Sequence, residues 1–175
     1  MPWGWRHAAC LAERSSVPGA PTPYPCRDRR RHRSRAKRVG LIYLDANLLI
    51  YVVEEVPEFA SRVTRRIEAV VRSGNERFAI SPLVKMECLV GPVRSGDLAL
   101  QGYFETFFLR LATLAMPEAV YRNGAILRAR FGLRTPDALH LACAQHHGCQ
   151  ALWTNDERLT RAGLGLAKNI LSDPA

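Results

Sequence analysis

The chain has 175 residues, 47% of them hydrophobic and 23% charged, with a formal net charge of +9. That length suits one domain with a tail and a core of ordinary size, and no apolar run is long enough for a signal-peptide core or a membrane span. The positive charge is not spread evenly: residues 1–38 hold ten Lys or Arg against two Asp or Glu, which is +8, and residues 39–175 hold fifteen against fourteen, which is +1.

Residues 1–38 also contain Pro2, Pro18, Pro21, Pro23 and Pro25, followed by the Arg-rich run 27–38. No helical or strand period survives there, and such a segment buries too little apolar surface to offset its ordering entropy. It is expected to be a disordered basic extension. Two readings stay open: an arm that grips RNA or an acidic partner, or a stretch that is not natively translated, the chain then starting near Val39.

From residue 39 strands and helices alternate. Leu41–Leu44 reads as a buried strand, short, apolar and ended by a polar residue. Residues 46–53 read as a helix re-aimed by Pro57, and residues 58–72 as a second helix with Phe59, Val63, Ile67 and Val70/Val71 at helical spacing, stopped by Ser73-Gly74. Residues 77–80 form a second strand, and Ser81-Pro82 opens a helix with serine as cap and proline at its first position. A helix over 97–111 carries Tyr103, Phe104, Phe107 and Phe108 on more than one face. A third strand is expected over 113–116 and a helix over 117–131, stopped by Gly132. Thr135-Pro136 repeats the cap-then-proline opening of a helix running to His147-Gly148. Residues 151–153 read as a fourth strand, 157–162 as a short helix and 168–171 as a fifth strand. Strands separated by helices imply an α/β fold with a mostly parallel sheet of four or five strands covered on both faces.

Four acids stand beside core-forming residues. Asp45 ends the run Leu41-Ile42-Tyr43-Leu44, Glu87 lies in the apolar segment 81–90, Asp137 follows Thr135-Pro136, and Asp156 follows Trp153-Thr154-Asn155. Carboxylates in such settings are costly unless paired or bound to a cation, and no matching set of Lys or Arg adjoins them. Asp45 and Asp156 follow strands, while Glu87 and Asp137 lie early in helices, so all four face the sheet edge where ligands of α/β folds bind. Like charges raise one another's pKa, and a divalent ion relieves the conflict. Hard oxygens suit Mg²⁺ or Mn²⁺, and no His/Cys set competes for zinc. Taken singly, Asp156 also reads as a helix cap and Asp137 as a helix-dipole partner, whereas Asp45 and Glu87 are not expected at helix starts. Four such acids point to metal-assisted phosphodiester chemistry.

The segments Leu-Asp-Ala-Asn-Leu-Leu-Ile-Tyr (44–51), Ser81 to Glu87, Pro-Asp-Ala-Leu-His-Leu-Ala (136–142) and Trp-Thr-Asn-Asp (153–156) resemble PIN domains, especially the VapC-like toxins of bacterial toxin–antitoxin pairs. The resemblance spans residues 41–171 and implies a three-layer α/β/α fold and a Mg²⁺- or Mn²⁺-dependent endoribonuclease. It also implies an RNA substrate, inhibition by a cognate antitoxin, and a homodimer. Asp45, Glu87, Asp137 and Asp156 match the family's acidic quartet, and Thr154 matches its Thr/Ser position. Asn47 stands where the family often has a small hydroxyl residue. Asp45 and Asp137 are expected as direct metal ligands, with Glu87 and Asp156 binding a second ion, orienting water or acting through a water bridge. Residues 1–38 lie outside the pattern, and 39–175 would be the nuclease domain.

Arg130 and Arg134 read either as phosphate contacts at the pocket rim or as solvated arginines. His140 reads either as a site residue or as an internally hydrogen-bonded helix residue. Two rival functions remain: a non-catalytic PIN-like module, and a phosphatase-type domain with Asp45 as nucleophile, against which Asn47 stands where a second aspartate is wanted. The five cysteines, Cys10, Cys26, Cys88, Cys143 and Cys149, form no C-x-x-C pair. Cys88 and Cys143 are expected as small buried hydrophobes, in a cytosolic protein with reduced thiols.

A chain starting at Val39 is expected to melt within a degree or two of the full chain, because residues 1–38 have little to bury. Its RNA affinity should fall at low salt if the extension contacts phosphate, the difference fading as salt rises. A large drop in melting temperature on truncation would make the extension part of the fold.

Overall fold

A computed structural model describes residues 39–172. The expectations for residues 1–38, including Cys10 and Cys26, lie outside the described residues. The elements are β1 (Gly40–Leu44), α1 (Ala46–Val53), α2 (Ala60–Ser73), β2 (Glu76–Ile80), α3 (Pro82–Ser95), α4 (Leu98–Phe108), β3 (Ala112–Thr113), α5 (Glu118–Phe131), α6 (Thr135–His146), β4 (Ala151–Thr154), α7 (Glu157–Ala162) and β5 (Ala167–Asn169). The five strands form one all-parallel sheet in the order β3-β2-β1-β4-β5, which agrees with the expected α/β/α architecture.

The first strand in sequence is the central strand in space. It reads Gly-Leu-Ile-Tyr-Leu with Tyr43 and Leu44 fully buried, as a strand covered on both faces requires. The chain leaves β1 toward β2 and β3 on one side and later returns to β4 and β5 on the other. Strand order therefore reverses between β1 and β4, and a crevice opens beyond their carboxyl ends. The core beneath includes Leu48, Leu49, Ile80, Leu141, Leu152 and Leu159, none more than 1% exposed. Each fully buried side chain of this size contributes about 1.5–3 kcal/mol.

Local chemistry places most boundaries. Ser81 caps α3 by accepting from the Val84 amide, and Asp97 caps α4 through the Leu100 amide. Gly74 and Gly132 end α2 and α5 in left-handed conformations, at φ 64° and 66°, where a side chain would be strained. Helix α5 packs on α6 with Gly124 against Leu139; a Cβ on Gly124 would lie 2.9 Å from Leu139 Cδ2.

Four expectations need correction. Strand β3 is two residues long, not 113–116, because its partner β2 ends at Ile80 where Ser81 turns into α3; Leu114 N still donates to Ile80 O at 2.8 Å. Strand β5 occupies 167–169 rather than 168–171 for the same reason, since β4 stops at Thr154, opposite Asn169. The helix expected over 97–111 stops at Phe108, and Asp97 is its cap rather than its first residue. Thr135 is not a cap: Arg134 holds that position without a side-chain bond, and the Thr135 hydroxyl accepts instead from Arg128 Nη1 at 2.7 Å. Asp137 is thus the third residue of α6, still within its first turn.

Cys88, Cys143 and Cys149 are free and buried. Burial pushes the Cys88 thiol up to about 12 and those of Cys143 and Cys149 up to about 11, so they behave as small apolar groups rather than thiolates. Among the described residues no helix is long and apolar enough to cross a membrane.

Candidate active site

The centre of the site is Asp45, only 6% exposed at the exit of β1. Its amide donates to Trp153 O at 3.0 Å, so the strand exit is tied to β4 across the crevice. The fully buried Thr154 donates its hydroxyl to Asp45 Oδ2 at 2.6 Å and accepts from the Asp156 amide at 3.0 Å. One hydroxyl thus positions two of the four acids. Asp45 also occupies the cap position of α1, contrary to the expectation that it is not at a helix start, but its side chain makes no cap bond. Its carboxylate faces the crevice network instead.

Asp156 does cap its helix. Its Oδ1 accepts from the amides of Arg158 at 2.6 Å and Leu159 at 3.0 Å, leaving Oδ2 as the oxygen for other partners. Asp137 is half-buried, and its carboxyl is raised above the ordinary value. Burial is the main cause, followed by the charges of Asp156 and Asp45; His140 and Arg134 act in the opposite direction. Asp45, Asp137 and Asp156 are therefore brought into one electrostatic group.

Glu87 joins that group through His140. The buried ring of His140 places Nε2 2.8 Å from Glu87 Oε2 and 3.8 Å from Asp45 Oδ1, while Nδ1 lies 2.9 Å from the Tyr43 hydroxyl. Tyr43 in turn lies 2.6 Å from Ser81 Oγ. Burial alone would lower the His140 pKa, but the Glu87 hydrogen bond and the charges of Asp45, Glu87 and Asp137 outweigh it, and the value is raised. In the charged ring both nitrogens donate, Nε2 to Glu87 and Nδ1 to Tyr43, and Tyr43 donates to Ser81. His140 is therefore both internally hydrogen-bonded and part of the site. In its charged form it supplies a positive partner that a search for Lys and Arg in the sequence misses.

Tyr43 was missed in the sequence, although a signal exists: it lies two residues before Asp45, and residues two apart along a strand share a face. Burial pushes its phenol well above the ordinary range, so it stays protonated. Asn155 is a second addition. Its Oδ1 accepts from Asn47 Nδ2 at 3.3 Å, its Nδ2 donates to the Tyr51 hydroxyl, and its carbonyl accepts from Asn169. Asn47 thus braces the loop after β4. Arg134 is exposed yet close enough to favour ionisation of Asp137, whereas Arg130 lies over the Phe131 ring at 5.2 Å.

These residues fit a divalent cation by donor type and charge. All four acids offer hard oxygens, and the Asp137 carboxyl is raised first by burial and then by the charges of Asp156 and Asp45. Among the described residues, no three His, Cys, Asp or Glu side chains already form a closed metal-binding cluster. The fit therefore rests on charge and chemistry, not on a preformed shell.

Because the Asp137 pKa is raised on folding, ionising it costs stability. That cost is absent below the unfolded carboxyl value, grows as pH rises through it and is complete above the folded value. At pH 7, without divalent metal, Asp137→Asn should leave the melting temperature unchanged or raise it by a few degrees, measured by thermal melts in EDTA. A clear drop would show that the carboxylate is structurally paired.

The PIN domain profile matches residues 42–164. Solved structures with a similar fold include a chain of a toxin–antitoxin complex from Klebsiella pneumoniae, 22% identical, covering 74% of this chain and 97% of that one with a TM-score of 0.60. A chain of VapBC2 from Rickettsia felis bound to a promoter DNA fragment is 20% identical, covering 74% and 98% with a TM-score of 0.63. Mycobacterium tuberculosis VapC20, a sarcin–ricin loop cleaving toxin, is 14% identical, covering 70% and 95% with a TM-score of 0.59. No curated protein sequence matches the chain significantly. With the profile spanning most of the chain and the parallel sheet carrying the acids at its β1/β4 crevice, the protein belongs to the PIN domain family.

Proposed function

We propose that the protein is a Mg²⁺- or Mn²⁺-dependent endoribonuclease and the toxin of a toxin–antitoxin pair. The observation that carries this reading is the electrostatic group of Asp45, Asp137 and Asp156 at the β1/β4 crevice, braced by Thr154 and by the Glu87–His140 pair. The sarcin–ricin loop cleaving activity of VapC20, whose fold is similar, supports RNA as the substrate class.

Asp45 and Asp137 would hold the cation, since Asp156 Oδ1 is engaged by amides and Glu87 by His140. When bound, the ion supplies a lowered pKa for water and neutralisation of charge developing on the cleaved phosphodiester. The chain's own part is positional. Thr154 fixes the Asp45 carboxylate through Oδ2, and Tyr43 and Ser81 fix the His140 ring that orients Glu87. The attacking oxygen is that of water; the bond to the leaving ribose oxygen breaks, and Glu87 or Asp156 orients the water.

An antitoxin would dock on a groove between the end of α1 and α4. One part, of about 240 Å³, is lined by Val52, Val53, Tyr103, Thr106, Phe107 and Arg110; a second, of about 620 Å³, shares Val53 and Tyr103 and adds Glu54, Glu55 and Asp97. Of the α4 aromatics, Tyr103 is 68% exposed and Phe107 half-buried, whereas Phe104 and Phe108 are core. Apolar anchors with an acidic margin suit a partner that carries apolar and basic side chains. The exposed residues Met86, Val90 and Val93 form one stripe on α3 that suits a second copy in a homodimer. A cytoplasmic location fits this reading.

Purified protein should cleave RNA with Mg²⁺ or Mn²⁺ and stop in EDTA, and Asp45→Asn or Asp137→Asn should slow cleavage by about 10²-fold or more. Full activity in EDTA would overturn the metal reading, and no cleavage of any RNA would overturn the nuclease reading.

Against its cognate antitoxin, Tyr103→Ala or Phe107→Ala should weaken the complex by about ten-fold or more in a titration, while cleavage by the free variant persists. Charge reversal of a basic side chain that the partner places among the carboxylates should relieve inhibition more than it weakens binding. Unchanged affinity in both groove variants would place the docking surface elsewhere.

A further inference from the structure

A second concavity, of about 410 Å³, lies between the α5–α6 turn and α7. Phe131, Gly132 and Leu133 line one wall, and Arg158, Arg161 and Ala162 line the other. Both walls are close in sequence to acids of the site, and the α7 wall is tied to one of them by a hydrogen bond. Leu133 lies four residues before Asp137, and Arg158 lies two after Asp156, whose carboxylate accepts from the Arg158 amide. The volume falls within the range of small-ligand clefts and accommodates a nucleotide.

The charge of this cleft is opposite to that of the acid site beside it. Arg158 and Arg161 are exposed, and neither forms an ion pair with a described residue; Arg161 Nε donates to Glu157 O at 3.4 Å. Arg128, Arg130 and Arg134 flank the other wall in sequence. Arg128 is pinned by its bond to Thr135 and Arg130 by the Phe131 ring. Two of the fifteen basic residues in 39–175 therefore line this cleft, and three more lie within three residues of its Phe131–Leu133 wall in sequence. The apolar part of the lining is the half-buried Phe131 with Leu133 and Ala162. The Arg158 amide holds Asp156, but no arginine side chain of this group hydrogen-bonds to the four acids.

A polyanionic strand approaching an acidic centre is repelled unless positive charge beside that centre holds it. We infer that the Phe131–Arg158–Arg161 cleft is a nucleotide subsite for single-stranded RNA. Arg158 and Arg161 hold a phosphate flanking the scissile one, and Phe131, with Arg130 against its ring, gives an unpaired base an apolar floor. The assignment rests on the ribonuclease reading. It names a single strand because a base paired in a duplex cannot reach that floor.

The test uses full-length protein carrying Asp137→Asn to block cleavage, with fluorescence anisotropy of a short labelled single-stranded RNA across a salt series. Residues 1–38 are present in every variant, so their contribution is common to all. Adding Arg158→Gln and Arg161→Gln should weaken binding at low salt and shrink the slope of log K against log salt by about 0.7 to 1.4, one or two phosphate contacts. Adding Phe131→Leu should weaken binding by about five-fold or more with no change of slope, because stacking releases no counterions. If Phe131→Leu lowers the melting temperature, the exposed arginine pair carries the test alone.

In parallel, the arginine pair is replaced in protein with intact acids, and cleavage is followed with Mn²⁺. A raised KM with kcat largely kept supports the subsite. Unchanged affinity and slope in the arginine variant, with cleavage present in the parent, overturn the subsite and spare the nuclease reading. An arginine variant that keeps RNA binding but loses an acidic peptide or protein partner also overturns it. A parent chain that neither cleaves nor binds RNA overturns both.

Discussion

A carboxylate buried at the exit of the central strand is the constraint around which the site is arranged. Asp45 is 6% exposed, and an uncompensated charge in such a place costs several kcal/mol. The surroundings answer that cost with specific groups. Thr154 gives Asp45 a short charge-assisted hydrogen bond, and the Asp45 amide binds the carbonyl of Trp153 on the neighbouring strand. His140 approaches its other oxygen at 3.8 Å. Trp153 and Thr154 both lie on β4 and His140 on α6, so the first two partners reach Asp45 only because β4 lies beside β1.

The compensation is uneven. On one side Glu87 is matched by a histidine whose pKa is raised by that hydrogen bond and the nearby carboxylates, and the ring is held from behind by Tyr43, itself bonded to Ser81. On the other side Asp137 meets Asp45 and Asp156, and its carboxyl is raised by burial and by their charges. Glu87 thus has a hydrogen-bonded partner within the chain, whereas ionisation of Asp137 is opposed by burial and by the charges of Asp156 and Asp45. Under the proposed function, that difference supports Asp45 and Asp137 as the cation ligands, with Glu87 held by His140. It also explains why helix α6 matters twice: its first turn carries Asp137 and its second carries His140.

The charge outside the acid site has a matching logic. Residues 39–175 are nearly neutral in sum, yet arginines collect at the α5–α6 turn and on α7 beside the acids, while Glu54, Glu55 and Asp97 line the groove by α4. Under the proposed function, surfaces of opposite sign would separate a contact for a polyanion from a contact for a basic partner. The net charge of the whole chain hides this division, because residues 1–38 account for +8 of the +9.

Much of the fold was legible in the sequence because its signals are local. A serine before a proline, an aspartate at a helix entrance and a glycine at a helix end act within a few residues, and Ser81, Asp97, Gly74 and Gly132 act where they stand. The four acids stood out because a carboxylate next to an apolar run is anomalous wherever the chain goes next. The strand order, the short β3 and β5, and the partners of each acid were not legible. A strand's length is cut by the neighbour it pairs with, as Ile80 and Thr154 cut theirs. A histidine in an apolar helix reads equally well as core or site. Only the fold brings Glu87 to His140 across 53 positions and Tyr43 across 97. By itself the sequence determined which residues needed a partner; tertiary structure decided which partner each received, because hydrogen bonds and charge pairs act over a few ångströms of space and not along the chain.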